Sequence, residues 1–277
     1  MAKGSTNKQM FALPGPPPEQ IALADAHWKL RRVFKHDFFA ATCLYEQTGK
    51  RDSLPEKVVV KFSRAQPFMG LDCSWYARFM RAHEEGIYRV LSGVRGVPRW
   101  IGHVGPTGYA IEYIDAAPLD HMGKPPAGFF DRLAALFEQI HQRGVAYCDA
   151  NKRSNILVGP DGEPWLVDYQ ISFRRRDDWP WPIRPLLAKA VDYVIQRDIY
   201  HLCKHKRRLA PEELSKQEEA LSRRRTGLHA LHRKLTKPWR SLRRGILNKQ
   251  HREGRLESPT RQLEDHHQPE KATWRDG

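Results

Sequence analysis

Little in this sequence can be cross-linked or held by zinc. Its four cysteines, Cys43, Cys73, Cys148 and Cys203, stand far apart and form no C-x-x-C, which argues against a disulfide scaffold and a zinc site and makes a reduced, cytoplasmic chain the default. Long apolar runs are missing too. Nothing approaches the roughly 18 apolar residues a membrane-spanning helix needs, and the N-terminal MAKGSTNKQMFALPG has no continuous apolar stretch of the secretory kind. An exported or integral protein is therefore not expected. Acidic residues are scarce: 32 Asp and Glu face 47 Lys and Arg, a net charge of +15. The imbalance is local, because residues 222–256 hold 12 Lys and Arg against the single acid Glu253. A basic tail of that kind points to an anionic partner such as a membrane surface, an acidic substrate or nucleic acid.

At 277 residues the chain can bury one large core or two modest ones. Residues 1–26, with Ala12-Leu13-Pro14-Gly15-Pro16-Pro17-Pro18, read as a flexible proline-rich leader. Trp28 to Tyr45 reads as two strands around a turn at Lys35-His36-Asp37. The loop Lys35 to Thr42 contains no G-x-G-x-x-G, so it is either an ordinary hairpin or a glycine-poor cover for phosphates using Lys35 and backbone N–H groups. Val58-Val59-Val60-Lys61-Phe62 is a strand with one lysine among apolar neighbours, and such a lysine sits at a solvated edge or has an anionic partner. Ser74 to Val94 reads as a helix on which Glu84, Tyr88 and Leu91 share one face, whereas Glu85 falls with Arg89 and Ser92. That makes Glu84 the inward acid. Phe129 to Arg143 is a second helix with Phe130, Leu133, Leu136, Phe137 and Ile140 on its apolar face, and Leu186 to Lys204 a third with Val191, Val194 and Ile195 inward. In the tail, Leu228, Leu231, Leu235, Trp239, Leu242 and Ile246 make an amphipathic stripe interrupted at Pro238. It could lie on an anionic membrane, grip RNA, or dock on the rest of the chain.

The most informative stretch is Gly144 to Phe173. Ile156-Leu157-Val158 and Trp165-Leu166-Val167 flank the turn residues Gly159-Pro160-Asp161-Gly162, a strong hairpin signal. An antiparallel pair places Asn155 at one strand's entrance beside Asp168 at the other's exit. Both offer hard oxygen atoms of the kind magnesium takes together with water and phosphate. Asp149, in the loop entering the hairpin, could accept a proton from an incoming hydroxyl.

With these residues the chain resembles the protein-kinase-like superfamily, whose catalytic loop reads H-R-D-L-x-x-x-N and whose metal motif reads D-F-G. Here the equivalents are Tyr147-Cys148-Asp149 with Asn155, and Asp168-Tyr169-Gln170, with one extra residue between Asp149 and Asn155. The resemblance implies an α+β, bilobal fold: a β-rich N-lobe over 27–115, a reduced helical C-lobe over 116–220, and a basic amphipathic tail with a disordered end over 221–277. It implies ATP and Mg²⁺ as cofactors, with Asp149 as catalytic base and Asn155 and Asp168 on the metal. Lys61 would hold ATP phosphates in partnership with Glu84, and Ile111-Glu112-Tyr113-Ile114 would be the hinge, where Glu112 and Ile114 bind adenine. Asp198 resembles the buried aspartate that braces the catalytic loop in larger kinases; a surface acid on a basic helix is the other reading.

The expected activity is transfer of the γ-phosphate of ATP to a hydroxyl. The glycine-poor loop, small C-lobe and basic tail look similar to bacterial lipopolysaccharide-core sugar kinases, which act on Kdo or heptose hydroxyls, and to RIO-like Ser/Thr kinases. In the first case the protein would sit peripherally on the inner membrane, with 222–256 attracted to its surface. From another class, a pseudokinase scaffold presenting its tail to RNA, membrane or a protein partner is favoured by the irregular catalytic loop and Gln170.

Overall fold

The computed structural model describes residues 11–49, 51–67, 72–176 and 178–223. It is α+β and divides into two compact units. Among the described residues, one runs to Arg81 and takes in Ile101–Ile111; the other holds Ala82–Trp100 and residues 112–223. The change of unit at Ile111/Glu112 falls inside the expected hinge, four residues before the expected boundary at 115/116.

In the first unit, β1 (Gln20–Leu23), β2 (Ala26–His36), β3 (Ala40–Gln47) and β4 (Lys57–Ser63) are consecutive antiparallel strands. With β5 (Trp100–Val104) and β6 (Gly108–Glu112) they form a six-stranded sheet in the order β1-β2-β3-β4-β6-β5. Alternation sends Trp28, Val33, Cys43, Tyr45, Val58, Val60 and Phe62 into one core, as period-two patterning requires. Lys61 therefore lies on the opposite face of β4, opposite Thr42.

The expected flexible leader is instead part of this unit from Phe11 onward. Phe11 and Ala12 are buried. The Ala12 N–H donates to Asp37 O at 2.7 Å, the Tyr45 hydroxyl donates to Pro18 O at 2.6 Å, and the Arg64 guanidinium donates to Phe11 O at 3.0 Å. Composition misleads here because proline-rich backbone lacks N–H groups but keeps its carbonyls, and one of them, Pro18 O, takes a donor from the sheet. β1 begins before residue 26 as well, and its turn to β2 places Ala24 and Asp25 at φ 50 and 55, the left-handed pair of a type I′ hairpin.

The helix α1 (Ser74–Val90) ends sooner than Val94. Beyond it come α2 (Phe129–Gln142), β7 (Ala117–Pro118), β8 (Val145–Ala146), β9 (Ile156–Val158), β10 (Pro164–Leu166), β11 (Phe173–Arg174), α3 (Arg184–Leu209) and α4 (Lys216–Arg223). The expected apolar face of α2 is buried, joined by Phe129. The hairpin forms as β9 and β10, with Ile156 opposite Leu166, and its returning strand starts one residue before Trp165. On α3, Val191 is buried as expected, but Val194 and Ile195 are only half-buried. Asp198, Leu202, Cys203, His205 and Lys206 take the interior instead. Lys206 is tolerated there because its ammonium meets Asp131 and Glu218, both at 2.8 Å, as a buried charge requires. α4 and the buried Ser222 extend the second unit past the expected start of the tail at 221. The remainder of the tail lies outside the described residues, among which no helix is long and apolar enough to cross a membrane.

One glycine is required by both backbone and space. Gly96 has φ +95, and a Cβ there would stand 2.7 Å from Leu136 Cδ2 and from Pro164 O. Gly93 has φ +80 with open space around its Cβ position. Urea unfolding should show Gly93→Ala costing about 1 kcal/mol for the left-handed backbone and Gly96→Ala about 2–4 kcal/mol, since crowding adds to strain. Equal losses would mean that the crowding relaxes without cost.

Candidate active site

The site is built on the β9–β10 hairpin. Its turn closes through Gly159 N–H to Glu163 O and Gly162 N–H to Gly159 O, both 2.9 Å, with Gly162 at φ +76. At the open end Val167 N–H donates to Asn155 O at 3.1 Å, so the backbones at Asn155 and Asp168 are neighbours, as expected. Asp149 joins them: Asn155 Nδ2 donates to Asp149 Oδ2 at 2.8 Å, and Lys152 Nζ lies 2.7 Å from the same oxygen. The extra residue in the loop is absorbed by two tight turns, Lys152 N–H to Asp149 O at 2.9 Å and Asn155 N–H to Lys152 O at 3.2 Å. The Asn155 amide reaches Asp149 despite the longer spacing.

Two non-glycine residues of the site are left-handed, Cys148 at φ 67 and Asp168 at φ 64. Each costs on the order of 1–2 kcal/mol and persists because the surroundings over-determine it. For Cys148 the determinant is Asp198, which is fully buried on α3. Its Oδ2 accepts Tyr147 N–H at 2.8 Å, its Oδ1 accepts Cys148 N–H at 3.0 Å, and His141 Nε2 lies 3.2 Å from Oδ2. Asp198 is thus the bracing acid, and His141 is structural. Two turns further along α3, His205 Nε2 is 2.9 Å from Ala150 O, and Lys204 Nζ donates to Asn151 Oδ1 at 3.2 Å. The segment from Tyr147 to Asn151 is held from one helix.

Reasoning from sequence missed the aromatic column beside this loop. Tyr169 lies edge-on to Tyr147 (5.2 Å between ring centres) and to Tyr88 (5.1 Å), and Tyr88 meets Trp100 at 5.9 Å. The Tyr147 hydroxyl donates to Val167 O. Burial, first of all, pushes the Tyr147 and Tyr169 hydroxyls well above their ordinary range, and for Tyr147 the charges of Asp168 and Asp149 add to it. Both phenols stay neutral. The Cys148 thiol is pushed up to about 12 by burial and by Asp198, so it is no thiolate nucleophile. The signal for the column was the helical i, i+4 step from Glu84 to Tyr88 together with the tyrosines flanking both aspartates.

Of the other expected site residues, Glu84 is fully buried in α1, while Glu85 pairs with the exposed Arg89 at 2.7 Å. Lys61 is half-buried, with its ammonium 5.9 Å from the centre of the Tyr109 ring. Lys61 and Glu84 belong to different units. Glu112 N–H donates to Arg99 O at 2.8 Å, and its carboxylate lies 3.9 Å from Arg99 Nε; Ile114 is half-buried. The loop from Lys35 is committed to its own turn: Lys35 pairs with Asp37 at 2.9 Å, and Asp37 Oδ1 accepts the N–H groups of Phe39 and Ala40 at 2.8 and 3.0 Å. Those groups are spent on the hairpin, which favours the ordinary-hairpin reading over a phosphate cover.

The donor set suits magnesium. Asn155 uses its amide nitrogen on Asp149, so its oxygen, met only by the Ser154 hydroxyl at 3.5 Å, is the end suited to a cation, and the Asp168 backbone is its neighbour. Among the described residues no group of three or more His, Cys, Asp and Glu could hold a metal. Two protein oxygens completed by phosphate and water are what this ion accepts.

Two outcomes follow from the way α3 holds the loop. Asp198→Ala strands two buried N–H groups and should cost about 2–5 kcal/mol in chemical denaturation, with faster amide exchange at Tyr147 and Cys148; unchanged exchange there would remove the bracing role. His205 is held down to about 4, chiefly by burial and then by Lys204, Arg153 and Arg208, against the favourable bond to Ala150 O. Between pH 6.5 and about 4 the unfolded chain takes up this proton and the folded chain does not. Stability from the neutral imidazole is therefore complete above 6.5 and lost on acidification, at up to about 1.4 kcal/mol per pH unit. In His205→Gln that part of the acid slope should vanish, and an unaltered slope would show that His205 does not carry it.

No protein-family model matches the chain, and no curated protein matches it either. Among solved structures it is similar to the Rio2 kinase–ADP/Mg²⁺-phosphoaspartate complex from Chaetomium thermophilum, at 16% identity over 68% of this chain and 58% of that one, with a TM-score of 0.48. It is likewise similar to the Rio2 kinase from Chaetomium thermophilum, at 17% identity over 68% of this chain and 59% of that one, with a TM-score of 0.45. The chain spans less than two thirds of either protein.

Proposed function

We propose that this protein is an ATP-dependent phosphotransferase acting on a hydroxyl acceptor. The observation that carries the reading is the bond from Asn155 Nδ2 to Asp149 Oδ2 on a hairpin whose closing bond, Val167 to Asn155, sets Asp168 alongside. A carboxylate suited to taking a proton and two oxygens suited to a divalent cation are thereby gathered on one short stretch.

In this reading Asn155 and Asp168 hold Mg²⁺, which when bound offsets the charge of the ATP phosphates. Asp149 orients the acceptor hydroxyl and takes its proton as the new O–P bond forms; the bond from the γ-phosphorus to the bridging oxygen breaks, and its electron pair leaves on ADP. Lys152, on Asp149 Oδ2, fixes the carboxylate's orientation. Lys61 on the phosphates, Glu84 as its partner, and Glu112 and Ile114 on adenine enter the proposal through the resemblance alone. So do the two candidate acceptors, a lipopolysaccharide-core sugar and a protein Ser/Thr. A peripheral place on an anionic membrane rests on the charge of residues 222–256.

ATP turnover with Mg²⁺ should fall about 10²–10⁴-fold in Asp149→Asn and at least as far in Asp168→Asn or after chelation of magnesium, with folding unchanged by circular dichroism. Native protein that neither binds nor turns over ATP would overturn the reading and leave a scaffold in its place.

A further inference from the structure

The outward face of α1 holds aromatic side chains in water. Trp75 is 64% exposed and Phe79 61%, with Tyr76 beside them at 40%, while the same helix buries Met80, Glu84, Ile87 and Tyr88 on its inward side. The helix is unbroken from Ser74 to Val90, so its own phase puts Trp75, Phe79, Ala82 and Gly86 on one line, at i, i+4, i+7 and i+11. Two large side chains occupy the first half of that line and two of the smallest occupy the second.

Gly86 has no explanation inside the protomer. Its backbone is not left-handed, and a Cβ there would meet nothing within 4 Å outside its own helix. Glycine in a helix interior nevertheless costs about 0.5–1 kcal/mol relative to alanine.

A second antiparallel copy of the helix accounts for both halves of the line. A two-fold axis passing between Met80 and Arg81 brings Trp75 opposite Gly86 and Phe79 opposite Ala82 at once. The same axis brings Asp72, just ahead of the helix, level with Arg89, and Arg78 within about 3 Å of the level of Glu85 at ~1.5 Å per residue. Asp72 is held at that end by the Ser74 N–H and hydroxyl, at 2.9 and 2.6 Å. Arg89 pairs with Glu85 of its own helix and still leaves its side chain 72% exposed. One placement thus matches bulk to space and acid to base, as an isologous interface requires, and small residues let helix axes approach to about 8 Å.

We propose that the partner of this face is a second copy of the chain, with the two α1 helices packed antiparallel in a two-fold dimer. A polyanion or an anionic membrane fits less well, because Asp72 and Glu85 share the face with Arg78 and Arg89. The exposed parts of Trp75, Tyr76 and Phe79 in two copies amount to roughly 700 Å² at the usual 150–250 Å² per aromatic side chain. Stable interfaces begin near about 1,200 Å², so the dimer is weak and concentration-dependent. It stands or falls independently of phosphotransfer.

Sedimentation equilibrium of the full chain between about 1 and 100 µM should show monomer and dimer and nothing larger. Phe79→Ser, which enters the interface twice, should weaken association about hundredfold. Leu186→Ser, at an exposed apolar position elsewhere, should change it less than about twofold. Trp75→Ala and Gly86→Trp should each weaken it at least about tenfold, and the two together in one chain should restore it to within about threefold, because bulk and space have then exchanged places. A chain that stays monomeric throughout overturns the proposal. So does association that Phe79→Ser leaves intact, assembly beyond the dimer, or a double variant no better than its parents. A monomer that binds anionic vesicles or a single-stranded oligonucleotide through Trp75 and Phe79 gives the face to that partner and overturns it as well.

Discussion

The carboxylate of Asp198 is the constraint on which the site depends. Fully buried on α3, it accepts the N–H groups of two consecutive residues, Tyr147 and Cys148, one on each oxygen. Two adjacent N–H groups point the same way only if the backbone between them departs from extended geometry, and Cys148 makes that departure at φ 67. The bend turns the chain so that the next side chain, Asp149, meets the Asn155 amide. A neutral acceptor would hold the loop less firmly, because hydrogen bonds to a charged group are about twice as strong as those between neutral partners.

What stands around this brace differs from the pattern the chain resembles. Where the superfamily has His and Arg before the catalytic aspartate, this chain has Tyr147 and Cys148. Tyr147 serves through its ring, packed against Tyr169 and Phe137, and through its hydroxyl, which donates to Val167 O and so ties the loop to the hairpin exit just before Asp168. Cys148 contributes little beyond its backbone. With its thiol pushed up to about 12, the residue is neutral, and it offers no cation for a phosphate on a neighbouring segment. The loop is held by interior bonds from Asp198, His205 and Lys204.

The strands and helices were legible wherever periodicity and turn chemistry agreed. The Gly159-Pro160-Asp161-Gly162 turn, the Val58 to Phe62 strand and the α2 face are local features, and local physics decides them. The adjacency of the Asn155 and Asp168 backbones was legible because the hairpin itself converts sequence spacing into proximity. The inward position of Glu84 followed from helical phase. Three things were hidden, each for a nonlocal reason. The leader from Phe11 is ordered by Arg64, Tyr45 and Asp37, all far along the chain from it. The interior of α3 is polar because Asp198, His205 and Lys206 find partners in the Tyr147–Ala150 loop, α2 and α4, and no apolar periodicity announces such an interior. The column of Tyr88, Trp100, Tyr147 and Tyr169 joins four separate segments, none of which is aromatic-rich by itself.

The placement of charge ties these observations to one another. Inside the second unit the buried charges have dedicated partners: Asp198 takes backbone N–H groups, and Lys206 takes two carboxylates. His205 is kept neutral with its Nε2 on Ala150 O. That economy is what a low-dielectric interior demands. At the outward side of the same helix, Arg197, Lys204 and Arg208 have no carboxylate partner among the described residues. One helix thus holds the loop with buried polar groups on one side, while on the other Lys204 and Arg197 meet neutral partners, the Asn151 amide and the Tyr200 ring.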